Sequence, residues 1–353
     1  MRQEIRSHTG LRGIAALFVV GYHQKFVAGY KLPFEHVMFG RAYLMVDLFF
    51  VLSGFIISYV YHADRRLSRG EVKSFLLARL FRIYPLHVFA LMFLTACSVA
   101  VAAAHHRHQE LGGDWLRQLL LLNAWIPSRV EWNVPSWSIS AEAFAYVLYP
   151  LIVLLAVARP TLVRLAMLIG ALAFYSYVAA TTGSLDILVG LAPLRCLAGF
   201  MIGMLIFYYR ERSAAGFLQL VAVAWIVAAL ALPVNDVLVI PAFASLVFLT
   251  WRDTGPAARL LSSKLLQWLG KVSYSVYLMH VPVGFVLWLA WYKLELRLGL
   301  PPAIARAIWL TLIFAAVLAA SAVTQKYIEK PCQDALKRWT KRPKPGEPAI
   351  AAP

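Results

Sequence analysis

Long runs without a single charged residue recur along this chain, and they limit what it can fold into more than any other feature. Residues 48–60, 88–104, 143–158, 165–182, 216–235, 272–292 and 307–324 contain no Asp, Glu, Lys or Arg, and further charge-free runs cover 13–21, 197–209 and 237–251. With flanking residues most approach the ~20 residues that cross a bilayer as helix. Backbone in hydrocarbon must satisfy its hydrogen bonds within its own segment, so helices are the expected form. Composition agrees: 61% of the 353 residues are hydrophobic and 14% are charged, against ~25% charged in an ordinary soluble domain. The expected fold class is all-α, a polytopic integral membrane protein of about ten transmembrane helices. The pair between residues 216 and 251 is short and also reads as one bent hairpin. Residues 1–336 are expected to form the transmembrane domain. Residues 337–353, basic and then rich in Pro and Ala, are expected to be a disordered cytoplasmic tail.

The net charge of +17 would suit nucleic acid, but its distribution argues for a membrane. With the N-terminus inside, segments 1–12, 62–82, 159–164, 210–216, 252–271 and 325–353 hold 24 of the 34 Lys and Arg. That asymmetry follows the positive-inside rule and places both termini in the cytoplasm. A basic face toward anionic headgroups accounts for the charge, so no nucleic-acid partner is expected. Cys97, Cys196 and Cys332 show no paired spacing, and neither a disulfide framework nor a zinc site is implied. His105, His106 and His108 cluster in an outer loop, where solvated side chains are the plainer reading than a metal site. Arg12 at the start of the first span and His23 near its end, with no clear cleavage site, mark a permanent helix rather than a signal peptide.

Ionisable residues inside a bilayer are costly and face a protein interior or a water-filled cavity. Here they are Arg12, His23, Asp47, Glu142, Arg195 and His280. Arg12 and His23 lie eleven residues apart, three helical turns plus ~20°, so they share a face about 16 Å apart along the axis. Asp47 enters the second span from the outer side at a depth similar to His23. A carboxylate there can fix an imidazole's tautomer; the structural alternatives are a snorkelling Arg12 and a satisfied core His23. Arg79 and Arg82 open the third span from the inside and can clamp a phosphate, or simply anchor the boundary. Ser138, Glu142 and Tyr146 recur at four-residue spacing on one face of the fourth span. On the ninth, Ser273, Tyr274, Ser275, Tyr277 and His280 precede Pro282, which removes a helical hydrogen bond. No Walker loop, His-Glu-x-x-His pattern, Gly-x-Ser-x-Gly elbow or Rossmann fingerprint competes.

These blocks, taken in order, resemble the acyltransferase 3 family of membrane proteins, which includes O-antigen, exopolysaccharide, Nod-factor and macrolide O-acyltransferases. Gly10-Leu11-Arg12 followed by His23 looks like the family's opening motif. Val46-Asp47-Leu48-Phe49-Phe50-Val51-Leu52-Ser53-Gly54-Phe55 matches its second block almost letter for letter. Arg79-Leu80-Phe81-Arg82-Ile83-Tyr84-Pro85 and Trp137-Ser138-Ile139-Ser140-Ala141-Glu142 are similar to the third and fourth. Arg195 to Gly203 is a looser match, and the segments from Leu269 to Pro282 and Glu329-Lys330-Pro331 look like the closing blocks. The family often has a second acidic residue after the position of Glu142; here Ala143 stands there, which weakens any mechanism that needs two carboxylates.

The resemblance implies an enzyme of the bacterial-type inner membrane. It would move an acyl group, usually acetyl, from cytoplasmic acyl-CoA to a hydroxyl, generally on a sugar, without a metal. Arg12, Arg79 and Arg82 would hold the donor's phosphates. His23 would serve as general base or carry the acyl group transiently, with Asp47 orienting it. Ser138, Glu142, Tyr146 and His280 would bind the acceptor. The rival readings are a transporter or flippase, whose spans often show repeat symmetry that this sequence lacks, and a non-catalytic scaffold, which gives no reason for the intramembrane charges.

Overall fold

The computed structural model describes residues 4–27, 39–106, 112–127, 132–213 and 216–341. Every regular element among them is helical. Apolar runs became helices because nothing else satisfies backbone polar groups in hydrocarbon. They are α1 (Arg6–Val27), α2 (Met45–Val60), α3 (Arg69–Ala104), α4 (Gly112–Leu119), α5 (Ser136–Ala158), α6 (Pro160–Thr181) and α7 (Ala192–Tyr209). The series continues with α8 (Leu218–Ala231), α9 (Val239–Thr250), α10 (Pro256–Leu261), α11 (Lys264–Leu298), α12 (Pro302–Thr324) and α13 (Lys330–Lys341). Seven helices are long and apolar enough to cross a membrane, while those over residues 218–231 and 236–250 are apolar but shorter. The protein is an all-α polytopic integral membrane protein.

The most polar long helix lies inside the bundle. α1 carries Arg6, His8, Arg12, His23 and Gln24 along 22 residues and packs against α11, α2 and α10. The outer helices show the opposite pattern: Leu162, Leu165, Ile169 and Leu172 of α6 are exposed, as befits side chains that meet lipid. Glycine brings α1 and α11 together. A Cβ on Gly270 would sit 2.0 Å from the Thr9 carbonyl oxygen, closer than any side chain allows. Van der Waals packing is what holds helices together in lipid, so small residues mark such crossings.

Remote groups hold the ends of α1. The Asp253 carboxylate accepts hydrogen bonds from the backbone N–H of Arg6 (2.8 Å) and of Ser7 (2.7 Å). The Ser7 hydroxyl donates to the Thr250 carbonyl at 2.7 Å, and a ring nitrogen of His8 lies 3.0 Å from the Val247 carbonyl. Orphan amides at the start of α1 thus meet a carboxylate, and side chains of α1 meet orphan carbonyls at the end of α9. At the far side, the Arg41 guanidinium donates to the carbonyls of Ala229, Leu232 and Val234 and to Asp236, closing the end of α8. Pro282 frees the Leu278 carbonyl of α11, and the Asn133 side-chain amide donates to it at 3.1 Å.

The C-terminal boundary differs from the sequence expectation. α13 runs through Lys341, so residues 337–341 are helical rather than part of a disordered tail. Leu336 is buried and the helix packs on α3, which supplies the ordering that composition alone could not show. Residues 342–353 lie outside the described residues, as do Arg107 and His108.

Candidate active site

Five helices surround a cavity whose space, its open mouth included, is about 790 Å³. α1 contributes Arg12; α2 contributes Phe49 and Ser53; α3 contributes Arg79 and Arg82; α5 contributes Ser138, Glu142 and Tyr146; and α11 contributes Tyr274 and Tyr277. Six residues singled out in the sequence for two different substrates therefore line one chamber.

The chamber carries more positive than negative charge. Arg82 is ion-paired with Glu329, which is 2% exposed and also accepts from the Ser275 hydroxyl. The Arg82 guanidinium lies 5.0 Å from the Tyr274 ring centroid, and the Tyr274 hydroxyl donates to the Ile83 carbonyl at 2.5 Å. Arg12 makes no hydrogen bond or ion pair among the described residues. Arg79 makes no ion pair; it lies 5.7 Å and 5.9 Å from the ring centroids of Tyr61 and Tyr146, and its Nε is buried without a hydrogen bond. Glu142 accepts from the Ser53 hydroxyl at 2.6 Å. With Arg82 matched by Glu329, two arginines face one carboxylate. Guanidinium groups held in a protein without partners fit the phosphates of an anionic substrate, which their planar forks bind bidentately.

His23 and His280 meet near this chamber. Their ring centroids are 4.7 Å apart. His23 Nδ1 lies 2.9 Å from the Val19 carbonyl. A carbonyl only accepts, so Nδ1 carries the proton and Nε2 holds the basic lone pair of the neutral ring. His280 is buried, and neither of its ring nitrogens has a hydrogen-bond partner among the described residues. Tyr277 links the histidines to the chamber: its ring lies 6.1 Å from that of His280, and its hydroxyl is 2.7 Å from the Ser138 hydroxyl.

Asp47 is placed differently from the expectation. It does not orient His23 in this arrangement; the Val19 carbonyl takes that place. The Asp47 carboxylate instead receives Arg195 Nε at 3.0 Å and a terminal guanidinium nitrogen at 2.6 Å, with both side chains fully buried. Matching depth along two helices did not bring the pair together, because the helix faces are set by packing. The Arg195 guanidinium also lies 5.2 Å from the Trp137 ring centroid, so the pair abuts the start of α5, from which Ser138 and Glu142 enter the chamber. Glu329 and Tyr274 were not singled out as site residues. Both stood inside quoted blocks, but the turn of π-helix over Gln325–Glu329 that aims Glu329 inward has no periodicity to reveal it. No group of three or more His, Cys, Asp or Glu is arranged to hold a metal among the described residues.

A cation-rich chamber with a histidine pair beside it thus sits inside the helical bundle of a polytopic integral membrane protein. The family model described as an acyltransferase domain matches residues 6–325, and the chain belongs to the acyltransferase 3 family. It is 41% identical over 93 residues to "Protein 2 in picA locus" of Rhizobium radiobacter, a match covering 25% of this chain and 42% of that protein. It is 29% identical over 153 residues to "Acyltransferase MdmB" of Streptomyces mycarofaciens, covering 41% of this chain and 38% of that one. The chain thus spans about two fifths of the length of the curated relatives it matches. No solved structure matches it.

Proposed function

We propose that the protein is a membrane O-acyltransferase of a bacterial-type inner membrane, with ten spans and both termini in the cytoplasm. It transfers an acyl group, acetyl in the simplest case, from cytoplasmic acyl-CoA to a hydroxyl of a carbohydrate or glycoconjugate. The observation that carries this reading is the convergence of Arg12, Arg79 and Arg82 on one chamber whose upper wall, through Tyr277, touches the histidine pair. The donor's phosphates bind the arginines. The ~16 Å of helix rise between Arg12 and His23 matches the reach of an extended pantetheine arm, so the thioester lies near His23.

His23 Nε2 takes the proton of the acceptor hydroxyl as its oxygen attacks the thioester carbonyl. The C–S bond breaks, the thiolate accepts a proton and leaves as CoA, and the ester remains on the acceptor. The Val19 carbonyl holds the imidazole in the tautomer this step needs. Ser138, Glu142, Tyr146 and His280 bind the acceptor. Asp47 acts at one remove, through Arg195 and Trp137, by fixing the start of α5.

The test is incubation of the purified protein, in lipid discs, with labelled acetyl-CoA and glycan extracts of the host. Label in a hydroxyl ester of the glycan is the expected result. Absence of both transfer and saturable CoA binding would falsify the reading.

A further inference from the structure

A second basic hollow lies at the starts of α1 and α11, two of the five helices that line the chamber. It encloses about 870 Å³, its open side included, and is lined by Glu4, Arg6, Lys264, Gln267, Trp268 and Lys271. Arg6 precedes Arg12 by six residues on α1, about 9 Å of helix rise. On α11, Lys271 stands one turn before Tyr274, which lines the chamber. α11 is 35 residues long, about 52 Å, against a hydrocarbon core of ~30 Å. That leaves about 22 Å of helix to lie outside the hydrocarbon at its two ends.

The chemistry of the hollow is uneven in a useful way. Arg6, Lys264 and Lys271 are exposed, and neither lysine has an acidic partner among the described residues. The one carboxylate, Glu4, already accepts from the Thr9 hydroxyl at 2.9 Å. The Gln267 amide is spent on the carbonyls of Arg6 and Leu261, which ties the starts of α1 and α11 together beneath the hollow. Trp268 is 40% exposed, and its indole has no ring partner among the described residues.

We propose that this hollow is a subsite for the nucleotide end of the acyl-CoA donor, an inference that rests on the donor assigned above. Arg6, Lys264 and Lys271 face its ribose phosphate, and Trp268 offers a stacking surface to its adenine. The chamber arginines then serve the diphosphate, so the donor spans both sites, with its nucleotide outside the bilayer and its thioester within.

The experiment compares parent protein with Lys264→Ala/Lys271→Ala and Trp268→Ala in discs of zwitterionic lipid, using three donors: acetyl-CoA, its analogue without the ribose phosphate, and acetyl-pantetheine. Loss of two charge-assisted contacts is expected to raise KM for acetyl-CoA about tenfold, with kcat kept. The double-lysine variant should no longer distinguish acetyl-CoA from the dephosphorylated analogue, and KM for acetyl-pantetheine should match the parent's. If both variants discriminate among the three donors as the parent does, the hollow is not the nucleotide subsite. A KM change that appears only in discs containing anionic lipid would make it a headgroup anchor and also overturn the proposal. A parent protein that neither binds nor uses acetyl-CoA is a separate result, and it sinks the donor assignment itself.

Discussion

In the proposed mechanism His23 is the base, its Nδ1 held by the Val19 carbonyl. His23→Ala is expected to lower kcat about 10²–10⁴-fold with CoA binding retained, as measured by isothermal titration alongside turnover. His280→Ala, which removes the facing ring, is expected to act on acceptor KM. A dead His280 variant beside an active His23 variant would assign the base to α11. Among the arginines, Arg79 is the clean probe of donor binding, because it has no ion-pair partner to strand. Arg79→Ala should raise donor KM at an unchanged melting temperature, and Arg79→Lys should rescue only partly, since an ammonium cannot reproduce the bidentate fork. Arg12 and Arg79 were legible in the sequence as candidate phosphate ligands. Arg82 was legible as a cation, but its commitment to Glu329 was not.

At the scale of elements, that commitment changes what a mutation tests. Glu329 is 2% exposed and Arg82 is 23% exposed, so Arg82→Ala strands a buried carboxylate. A cost of about 3–5 kcal/mol is expected, visible as a lower melting temperature in detergent. The double variant Arg82→Ala/Glu329→Gln should recover much of it. Were the single variant as stable as the parent, the ion pair would contribute nothing to seating the π-helical turn against α3. The start of α1 offers a second element-level test. Asp253 lies at φ +57°, a left-handed conformation that Asn tolerates better than Ala. Asp253→Ala gives up the cap of two amides and should cost about 1–2 kcal/mol, while Asp253→Asn keeps an acceptor and should cost less. The same variants should shift donor KM in that order, because Arg12 stands on the helix that Asp253 holds.

For the whole molecule, the ten spans proposed above would return the chain to the side on which it began. Reporter fusions at Gly113 and Pro302 are expected outside, and fusions at Ser68 and Gly255 inside. A cytoplasmic signal at Gly113 would overturn the orientation on which the donor and acceptor sides depend. The interior position of α1 bears on the same question. A helix with Arg6, His8, Arg12 and His23 would be expensive facing lipid, and α11, α10 and α2, which pack on it, spare it that exposure.

The sequence by itself determined that the chain is helical and lies in a membrane, because charge-free runs of this length have no other low-cost form in hydrocarbon. It also put forward Arg12, Arg79, Arg82, Ser138, Glu142 and Tyr146 as candidates, and the packed bundle brings all six to one chamber. Local periodicity could align Arg12 with His23 on one helix, where 100° per residue fixes the geometry. It could not pair residues across helices. That Asp47 meets Arg195 rather than His23, that His280 faces His23, and that Glu329 reaches Arg82 depend on helix rotation and crossing. Those are set where glycines such as Gly270 let backbones touch and by a turn of π-helix that shifts the register of the last residues. Only the packed bundle contains that information.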